Sequence, residues 1–93
     1  MDVEFEDDDL DRMEVDRDFT AGFGRDVVRG YRKAMSAIRA AGDARDLYTG
    51  GLQAEKLKGA RQHQHSVRLN KQWRLILEMA GTRVTIVKIE DYH

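Results

Sequence analysis

The sequence contains no cysteine, which excludes a disulfide framework and a thiolate metal site. The absence of cysteine fits a reducing compartment. The sequence also lacks any apolar run that approaches the roughly 20 residues of a membrane-spanning helix. Its first residues, MDVEFEDDDLD, are acidic and lack the basic and apolar segments of a secretory signal. We therefore expect a cytoplasmic protein without membrane contact, and the length of 93 residues predicts a single domain over 1–93.

The net charge of −1 conceals two segments of opposite sign. Residues 1–18 hold ten acidic and two basic side chains, whereas residues 19–93 hold seven acidic and fourteen basic ones. A basic body suits a polyanionic partner such as a nucleic acid. The plainer alternative is that lysine and arginine only solvate the surface, and charge alone does not choose between the two.

The first residues predict a strand and then a helix. Val3 and Phe5 alternate with acidic residues, which indicates a strand over Asp2–Glu6. The aspartates Asp7–Asp9 follow, and they favour the start of a helix through N-capping and the helix dipole. This helix would run to about Asp16, with few apolar positions to support it.

A longer amphipathic helix comes next. Apolar residues recur at three- and four-residue steps, as on one face of a helix of about five turns. They are Phe23, Val27, Tyr31, Ala34, Ile38 and Ala41. Gly42 is placed to end this helix, and Asp43 can begin a further short turn. A second, basic stripe on the solvent side is formed by Arg29, Arg32, Lys33 and Arg39. Such a stripe is either a solvated helix face or a surface that grips RNA.

The second half of the chain has the pattern of a sheet. Beyond a predicted loop at Tyr48–Gly51 the apolar period changes to two, which indicates an antiparallel meander. After a turn at Ala80–Thr82, the apolar run Val84–Ile89 suits a central strand. A strand, then helices, then a meander predicts an α+β fold.

The register of the first hairpin follows from its loop length. A three-residue loop at Asn70–Gln72 places Leu69 opposite Trp73 and keeps apolar residues on one face. The same register places Arg68 opposite Arg74. A two-residue loop would scramble the two faces. Trp73 is then expected in the core.

This register brings two arginines together on one face of the sheet. Adjacent cations repel each other unless an anion lies between them, and a bound phosphate would be such an anion. Lys58 and Arg61 precede the hairpin and can extend the patch. His93 can exchange a proton near neutral pH, Tyr92 can stack on a base, and Asp91 can accept a hydrogen bond.

These residue types suit cleavage of RNA by its own 2′-hydroxyl. The reaction needs a base, an acid and cations that stabilise the phosphorane, and it needs no metal. The sequence offers no set of metal ligands: His63 and His65 stand two residues apart without an acidic neighbour, and both are interpreted as surface strand residues. The plainer alternative for Asp91–His93 is a frayed chain end. From the residues alone, a catalytic role of Asp91–His93 and a frayed chain end are equally supported.

Three ordered blocks resemble the HigB branch of the RelE-type toxins. They are Leu57-Lys58-Gly59-Ala60-Arg61, then the hairpin Ser66–Arg74, then Ile89-Glu90-Asp91-Tyr92-His93. The corresponding family patterns are LKG-x-R, S-[IV]-R-[VL]-N-x-[QN]-W-R and (E/D)-D-Y-H. The strong match covers residues 55–93, and three blocks in order are more specific than any one of them.

The resemblance implies a RelE-like fold, a compact antiparallel sheet with two N-terminal helices packed on one side. It implies a toxin of a type II toxin–antitoxin pair that cleaves messenger RNA in the ribosomal A site without a cofactor. It also implies a helix-turn-helix antitoxin as partner. Lys58, Arg68 and Arg74 would contact the scissile phosphate, and Asp91–His93 would supply proton transfer, base stacking and orientation. Arg61 and the basic helix stripe would grip RNA.

The chain departs from the family pattern at several positions. Some members carry a catalytic histidine two residues before the LKG leucine, where this chain has Glu55. An acidic residue of the pattern is replaced by Ala60, and the usual aromatic before the hairpin serine is His65. His93 is then the strongest remaining candidate for proton transfer. The alternatives are a ParE-like toxin that inhibits DNA gyrase, a branch that generally lacks the D-Y-H ending, and a weakened toxin that persists as an antitoxin-binding partner.

Overall fold

The computed structural model describes residues 1–91, which form helices on one side of a five-stranded sheet. In chain order the elements are β1 (Asp2–Phe5), α1 (Asp8–Val15), α2 (Arg25–Ala40), α3 (Ala44–Thr49), β2 (Glu55–Lys56), a 3₁₀ helix (Gly59–Arg61), β3 (His65–Arg68), β4 (Trp73–Ala80) and β5 (Arg83–Asp91). The strand order is β1-β5-β4-β3-β2. β1 is parallel to β5, and the other neighbours are antiparallel. The predicted α+β class is confirmed, with β1 joining an otherwise antiparallel sheet at its edge.

Local sequence signals set the starts of α1 and α3. The Asp7 carboxylate accepts a hydrogen bond from the Asp9 backbone N–H at 2.9 Å and so caps α1. Asp43 caps α3 in the same way, accepting from the Arg45 N–H at 3.0 Å. This confirms the predicted short turn after α2. Among the helices of residues 1–91, none combines the length and the apolar composition of a bilayer span.

The helices cover one face of the sheet and bury the core there. The Tyr31 hydroxyl of α2 is buried and donates a hydrogen bond to the Leu10 carbonyl at 2.7 Å, which joins α2 to α1. A buried phenol without such a partner would be destabilising. The largest members of the core are Leu10, Met13, Tyr31, Met35, Ile38, Leu47, Val67, Leu75, Leu77, Val84 and Ile86.

Two aromatic residues depart from the predictions. Phe23 lies before α2, because the chain turns through left-handed backbone at Ala21 and Gly22 and the helix begins only at Arg25. Trp73 is half-buried rather than part of the core, since it stands at the hairpin end of β4. The two rings still meet edge to face, with centroids 5.5 Å apart.

The predicted hairpin register is confirmed. Arg68 lies opposite Arg74, and the Leu69 N–H donates to the Trp73 carbonyl at 2.9 Å. The Asn70 side-chain oxygen accepts from the Trp73 N–H at 2.7 Å and closes the loop. This confirmed pairing decides which side chains of β3 and β4 share a face.

A β-bulge in β5 reverses the alternation of its side chains. Ile76 lies opposite Lys88, whereas the next residue of β4 lies opposite Ile86. Val87 is therefore an extra residue in β5. Ile86 faces the helices, but beyond the bulge Lys88 and Glu90 face away from them.

Gly30 marks the closest approach of α2 to the hairpin. A Cβ at this position would lie 2.6 Å from the Leu69 carbonyl oxygen, a distance that requires something to shift. One turn earlier, the Asp26 carboxylate accepts a hydrogen bond from the Asn70 amide at 2.7 Å. The glycine costs about 1 kcal/mol of helix propensity relative to alanine, and close packing explains its place in the helix.

We expect Gly30→Ala to lower the free energy of unfolding by about 1–3 kcal/mol, because overpacking against a backbone carbonyl outweighs the gain in helix propensity. Urea unfolding measures the change. Ser36→Ala, at an exposed position of the same helix, is the matched control and should change stability by less than about 0.5 kcal/mol. A stabilised Gly30→Ala protein would contradict the close approach.

Candidate functional site

The face of the sheet turned away from the helices carries a row of charged residues. Arg68 on β3, Arg74 on β4 and Glu90 on β5 lie directly opposite one another. Side chains at paired positions project from the same face. The predicted pair of arginines is therefore present, and a carboxylate stands in line with it.

The Glu90 carboxylate is the centre of an ion-pair network. Arg74 donates to one of its oxygens through Nε at 2.9 Å and through Nη2 at 2.6 Å. Arg61 donates to both oxygens, at 3.1 Å and 2.8 Å, in a bidentate pair. The Lys88 ammonium lies 3.3 Å from the same carboxylate. Cations from the 3₁₀ helix, β4 and β5 thus converge on one anion.

The centre of the network is partly shielded from solvent, whereas its outer cations, Arg61 and Lys88, are 38% and 54% exposed. The side chains of Arg74 and Glu90 are each 18% exposed. Ile76, which faces the same side, is fully buried. Arg61 reaches Glu90 on β5 from the loop that follows β2, so this loop crosses the sheet face. Partial burial strengthens these ion pairs compared with exposed surface pairs, because water screens them less.

Glu90 remains charged at all physiological pH values. Burial opposes its ionisation, but hydrogen bonds from Arg61, Arg74 and Lys88 outweigh burial and lower its pKa to about 2. One carboxylate meets these three cations, and Arg68 stands beside them in the row.

Lys58 belongs to the same loop as Arg61. It directly precedes the 3₁₀ helix and is exposed. Glu55 stands where some members of the resembled family have a histidine. It lies on β2 opposite Ser66 of β3, so its side chain projects from the same face of the sheet as Arg68 and Arg74, at the edge of the sheet. Lys58 lies in the chain between Glu55 and Ala60, two positions at which the sequence departs from the family pattern.

Asp91 is the last described residue of the predicted terminal trio. Its carboxylate accepts a hydrogen bond from the Gln72 side-chain amide at 3.1 Å, at the hairpin loop. Because it directly follows Glu90 in β5, its side chain leaves the strand towards the other face. The predicted Tyr92 and His93 lie outside the described residues.

Arg32 of the predicted basic stripe is engaged inside the protein. Its Nε donates to the Met13 carbonyl at 3.0 Å, and Nη2 donates to the Asp16 and Arg17 carbonyls at 2.9 Å and 3.0 Å. These acceptors lie at and beyond the C-terminal end of α1, where carbonyls lack helical partners and a cation is favoured. Arg32 thus fixes the end of α1 against α2.

The other residues of the stripe differ in their surroundings. Arg39 forms a bidentate pair with Glu14 of α1, at 2.6 Å and 2.7 Å. Arg29 and Lys33 are exposed. An open groove of about 480 Å³ next to the stripe is lined by Arg17, Thr20, Arg25, Val28, Arg29 and Arg32. Arginines therefore also line this part of the surface.

His63 and His65 contact residues that are distant from them in the chain. His63 lies in a loop rather than a strand, with Nε2 at 3.7 Å from the Glu78 carboxylate. His65 lies on β3, and its Nδ1 is 2.5 Å from the Tyr48 hydroxyl. Burial and the nearby Lys56 lower the pKa of His65, so the ring is neutral at pH 7. Within residues 1–91, no group of three or more His, Cys, Asp or Glu side chains is arranged to hold a metal ion.

The arrangement on the open face suits the binding of an anion. Guanidinium groups held in fixed positions match the geometry of a phosphate and stabilise negative charge as it develops. Glu90 does not accept a proton near neutral pH, since its pKa is about 2. Its effect on any chemistry at this face passes through Arg61 and Arg74.

Sequence reasoning did not single out Glu90 as a site residue. Strict alternation along Val84–Ile89 would have placed Glu90 on the core face with Ile86. The usable signal is the three-residue step from Ile86 to Ile89, which breaks the period of two and is typical of a bulge. A pairing scheme that included this step would have aligned Glu90 with Arg74.

Comparisons with known proteins agree with this fold. The family model described as the RelE-like toxin of type II toxin-antitoxin system HigB matches residues 3–93. No curated protein sequence matches the chain at a significant level.

Several solved structures have the same fold at low sequence identity. The YoeB-YefM complex from Staphylococcus aureus contains a chain that matches with a TM-score of 0.66 and 18% identity, covering 100% of this chain and 97% of that one. The YoeB/ParE toxin from Agrobacterium tumefaciens matches with a TM-score of 0.65 and 16% identity over 100% of both chains. A conserved hypothetical protein from Helicobacter pylori matches with a TM-score of 0.56 and 11% identity, covering 99% of this chain and 94% of that one. At these identities the likeness concerns the fold alone.

We expect the free energy of unfolding to fall as the pH drops from about 4.5 towards about 2. The folded-state pKa of Glu90, about 2, lies below the ordinary value of 4.5, so the unfolded chain binds more protons in this window. Other carboxylates also titrate there. The part due to Glu90 is therefore the difference between the wild type and Glu90→Gln in urea unfolding at about pH 7 and about pH 3. The same loss of stability on acidification in both proteins would contradict the assignment.

Arg32→Ala is expected to lower the free energy of unfolding by about 2–3 kcal/mol, because it leaves carbonyl groups at the end of α1 without a charged donor. Arg29→Ala removes the same charge from an exposed position of α2 and should cost less than about 0.5 kcal/mol. Thermal unfolding of both variants measures the difference. Equal stabilities would show that Arg32 is only a surface cation.

Proposed function

Because the chain belongs to the family of RelE-like toxins of the HigB type II toxin–antitoxin system, which its sequence matches over residues 3–93, we propose that it is an endoribonuclease. It cleaves messenger RNA in the ribosomal A site and so inhibits translation. The observation that carries this proposal is the line of Arg68, Arg74 and Glu90 across the open face of the sheet, with Arg61 docked on it. The substrate phosphate lies on this face.

The reaction starts with attack of the 2′-hydroxyl on the adjacent phosphate. The phosphorane that forms carries extra negative charge, and fixed cations lower the barrier by stabilising it. Arg68, Arg74 and Lys58 serve this role, without a metal or another cofactor. Partial burial supports the proposal, since charge stabilisation is stronger where water is excluded.

The last three residues, Asp91–His93, carry out or support proton transfer. A histidine side chain can both give and take a proton near neutral pH, and this property suits His93 to the acid and base steps. Tyr92 stacks on a base of the message, and Asp91 orients its neighbours through hydrogen bonds. Glu55 stands where some family members have a histidine, which leaves His93 as the main group for proton exchange.

RNA contacts outside the reaction centre involve Arg61 and the basic stripe on α2. The exposed Arg29 and Lys33 contact phosphates directly. Arg32 and Arg39 add positive charge to the same surface while holding α1 in place. This stripe binds ribosomal RNA during the approach to the message.

A cognate helix-turn-helix antitoxin neutralises the toxin in the cytoplasm. The YoeB-YefM complex from Staphylococcus aureus, whose fold is similar, is a toxin–antitoxin assembly. That precedent supports a direct protein complex here, with residues 1–93 acting as one toxin domain.

The first test maps messenger RNA ends in translating cells that express the wild type, His93→Ala or a form that ends at Glu90. We expect new ends inside codons with the wild type, and their loss in both variants. Arrested growth with intact messages and DNA breaks would favour a ParE-like action on DNA gyrase. No toxicity at all would favour a weakened toxin.

A purified system tests the arginine row. Arg74→Ala is expected to slow ribosome-dependent cleavage by about 100-fold or more, because it removes a preorganised cation at the reacting phosphate. Arg83→Ala is the control and should retain the wild-type rate, because Arg83 is 61% exposed and lies at the end of β5 away from Glu90. Circular dichroism and urea unfolding of both variants distinguish lost chemistry from lost folding. A wild-type rate in Arg74→Ala would exclude this face as the reaction site.

A further inference from the structure

One carboxylate joins the elements that carry the proposed phosphate-binding cations. Glu90 of β5 accepts from Arg74 of β4 at 2.6 Å and from Arg61 of the loop after β2 at 2.8 Å. Within the loop, Leu57 donates to the Gln64 carbonyl at 3.0 Å, and the Arg61 Nε donates to the Gln64 side chain at 3.2 Å. At the end of the loop, Gln64 donates to the Glu78 carboxylate of β4 at 3.1 Å. The ion pair with Glu90 therefore ties this loop to the far side of the sheet face.

We propose that Glu90 is a positioning residue of the cleavage site. Its carboxylate holds the guanidinium of Arg74 on the sheet and, through Arg61, docks the loop that carries Lys58 over the same face. This inference rests on the proposed nuclease function and adds to it the residue that assembles the site. Glu90 itself does not contact the reacting atoms or transfer a proton.

A different role for Glu90 would be to occupy the phosphate position and mask the site in the free protein. The contacts argue against masking. Each carboxylate oxygen already takes at least two donors: one is shared by Arg61 and Arg74, and the other by Arg61 and Lys88. A phosphate would have to break all of these charge-assisted bonds, in a site only 18% exposed at Glu90.

The two roles predict effects of opposite sign for Glu90→Gln. The substitution removes a negative charge from an RNA-binding face, so simple electrostatics or release of a mask would tighten RNA binding and speed cleavage. Loss of positioning instead slows the reaction although the face becomes more positive. A misplacement of about 1 Å is enough to cost about 100-fold in rate.

The experiment measures ribosome-dependent cleavage by the full chain under single-turnover and steady-state conditions. We expect Glu90→Gln to lower kcat by about 100-fold while KM changes by less than about threefold. Glu4→Gln is the matched control: this glutamate lies on β1 at the far edge of the sheet, pairs only loosely with Arg83 at 3.6 Å, is 57% exposed, and should leave both constants unchanged. A rate for Glu90→Gln equal to or above that of the wild type would overturn the positioning role.

A second variant keeps the test valid if Glu90→Gln folds poorly. Arg61→Gln removes the loop contact from a side chain that is 38% exposed and leaves the Arg74–Glu90 pair in place. If Glu90 acts partly through Arg61, the double variant should lose less activity than the product of the two single losses. Independent, multiplicative losses would contradict the docking of the loop by Glu90.

A spectroscopic readout separates this proposal from the nuclease function itself. In ¹⁵N-labelled protein without RNA, the Nε–H signal of Arg74 and the Nη–H signals of Arg61 should exchange slowly with water in the wild type and rapidly in Glu90→Gln. Unchanged exchange with wild-type cleavage would reject positioning and leave the nuclease function standing. A wild type that cuts no message on ribosomes would reject both, even with protected arginine signals.

Discussion

The extra residue at Val87 determines which side chains of β5 lie on each face of the sheet. A sheet covered by helices on one side must send apolar residues of its strands to that side, with a strict period of two. β5 satisfies this rule with Ile86 before the bulge and Ile89 after it. The bulge therefore lets Ile89 join the core. Because it shifts the alternation of side chains by one residue, it also turns Lys88 and Glu90 towards the open face.

Glu90 then organises the open face through charge. Its position opposite Arg74 lets one carboxylate neutralise the repulsion within a cluster of cations, which would otherwise oppose folding. Hydrogen bonds keep it ionised despite burial, with a pKa of about 2. The cations are held in fixed directions before any substrate arrives, and such preorganisation is what electrostatic catalysis requires. Structural stability and the proposed chemistry thus use the same ion pairs.

The acidic first segment and the basic helix that follows are two parts of one packing arrangement. Arg39 pairs with Glu14, and Arg32 covers carbonyls at the end of α1. Part of the charge separation along the chain therefore serves the contact between α1 and α2. The remaining exposed cations of α2 are Arg25, Arg29 and Lys33, and these are available to an external polyanion.

Much of the fold followed from local rules. N-capping aspartates predicted helix starts, and the hairpin pairing of Arg68 with Arg74 followed from keeping apolar side chains on one face. These features depend on neighbours in the chain or on a short loop, so the sequence determined them by itself. The three ordered sequence blocks likewise indicated the family, because their residues and order can be recognised along the chain alone. The tertiary structure alone decided that Trp73 is half-buried, that Arg32 is an internal donor, and that Glu90 joins Arg61 and Arg74. Each of these depends on residues distant in the chain, and on a bulge whose place is chosen by the packing of the whole sheet rather than by any local preference.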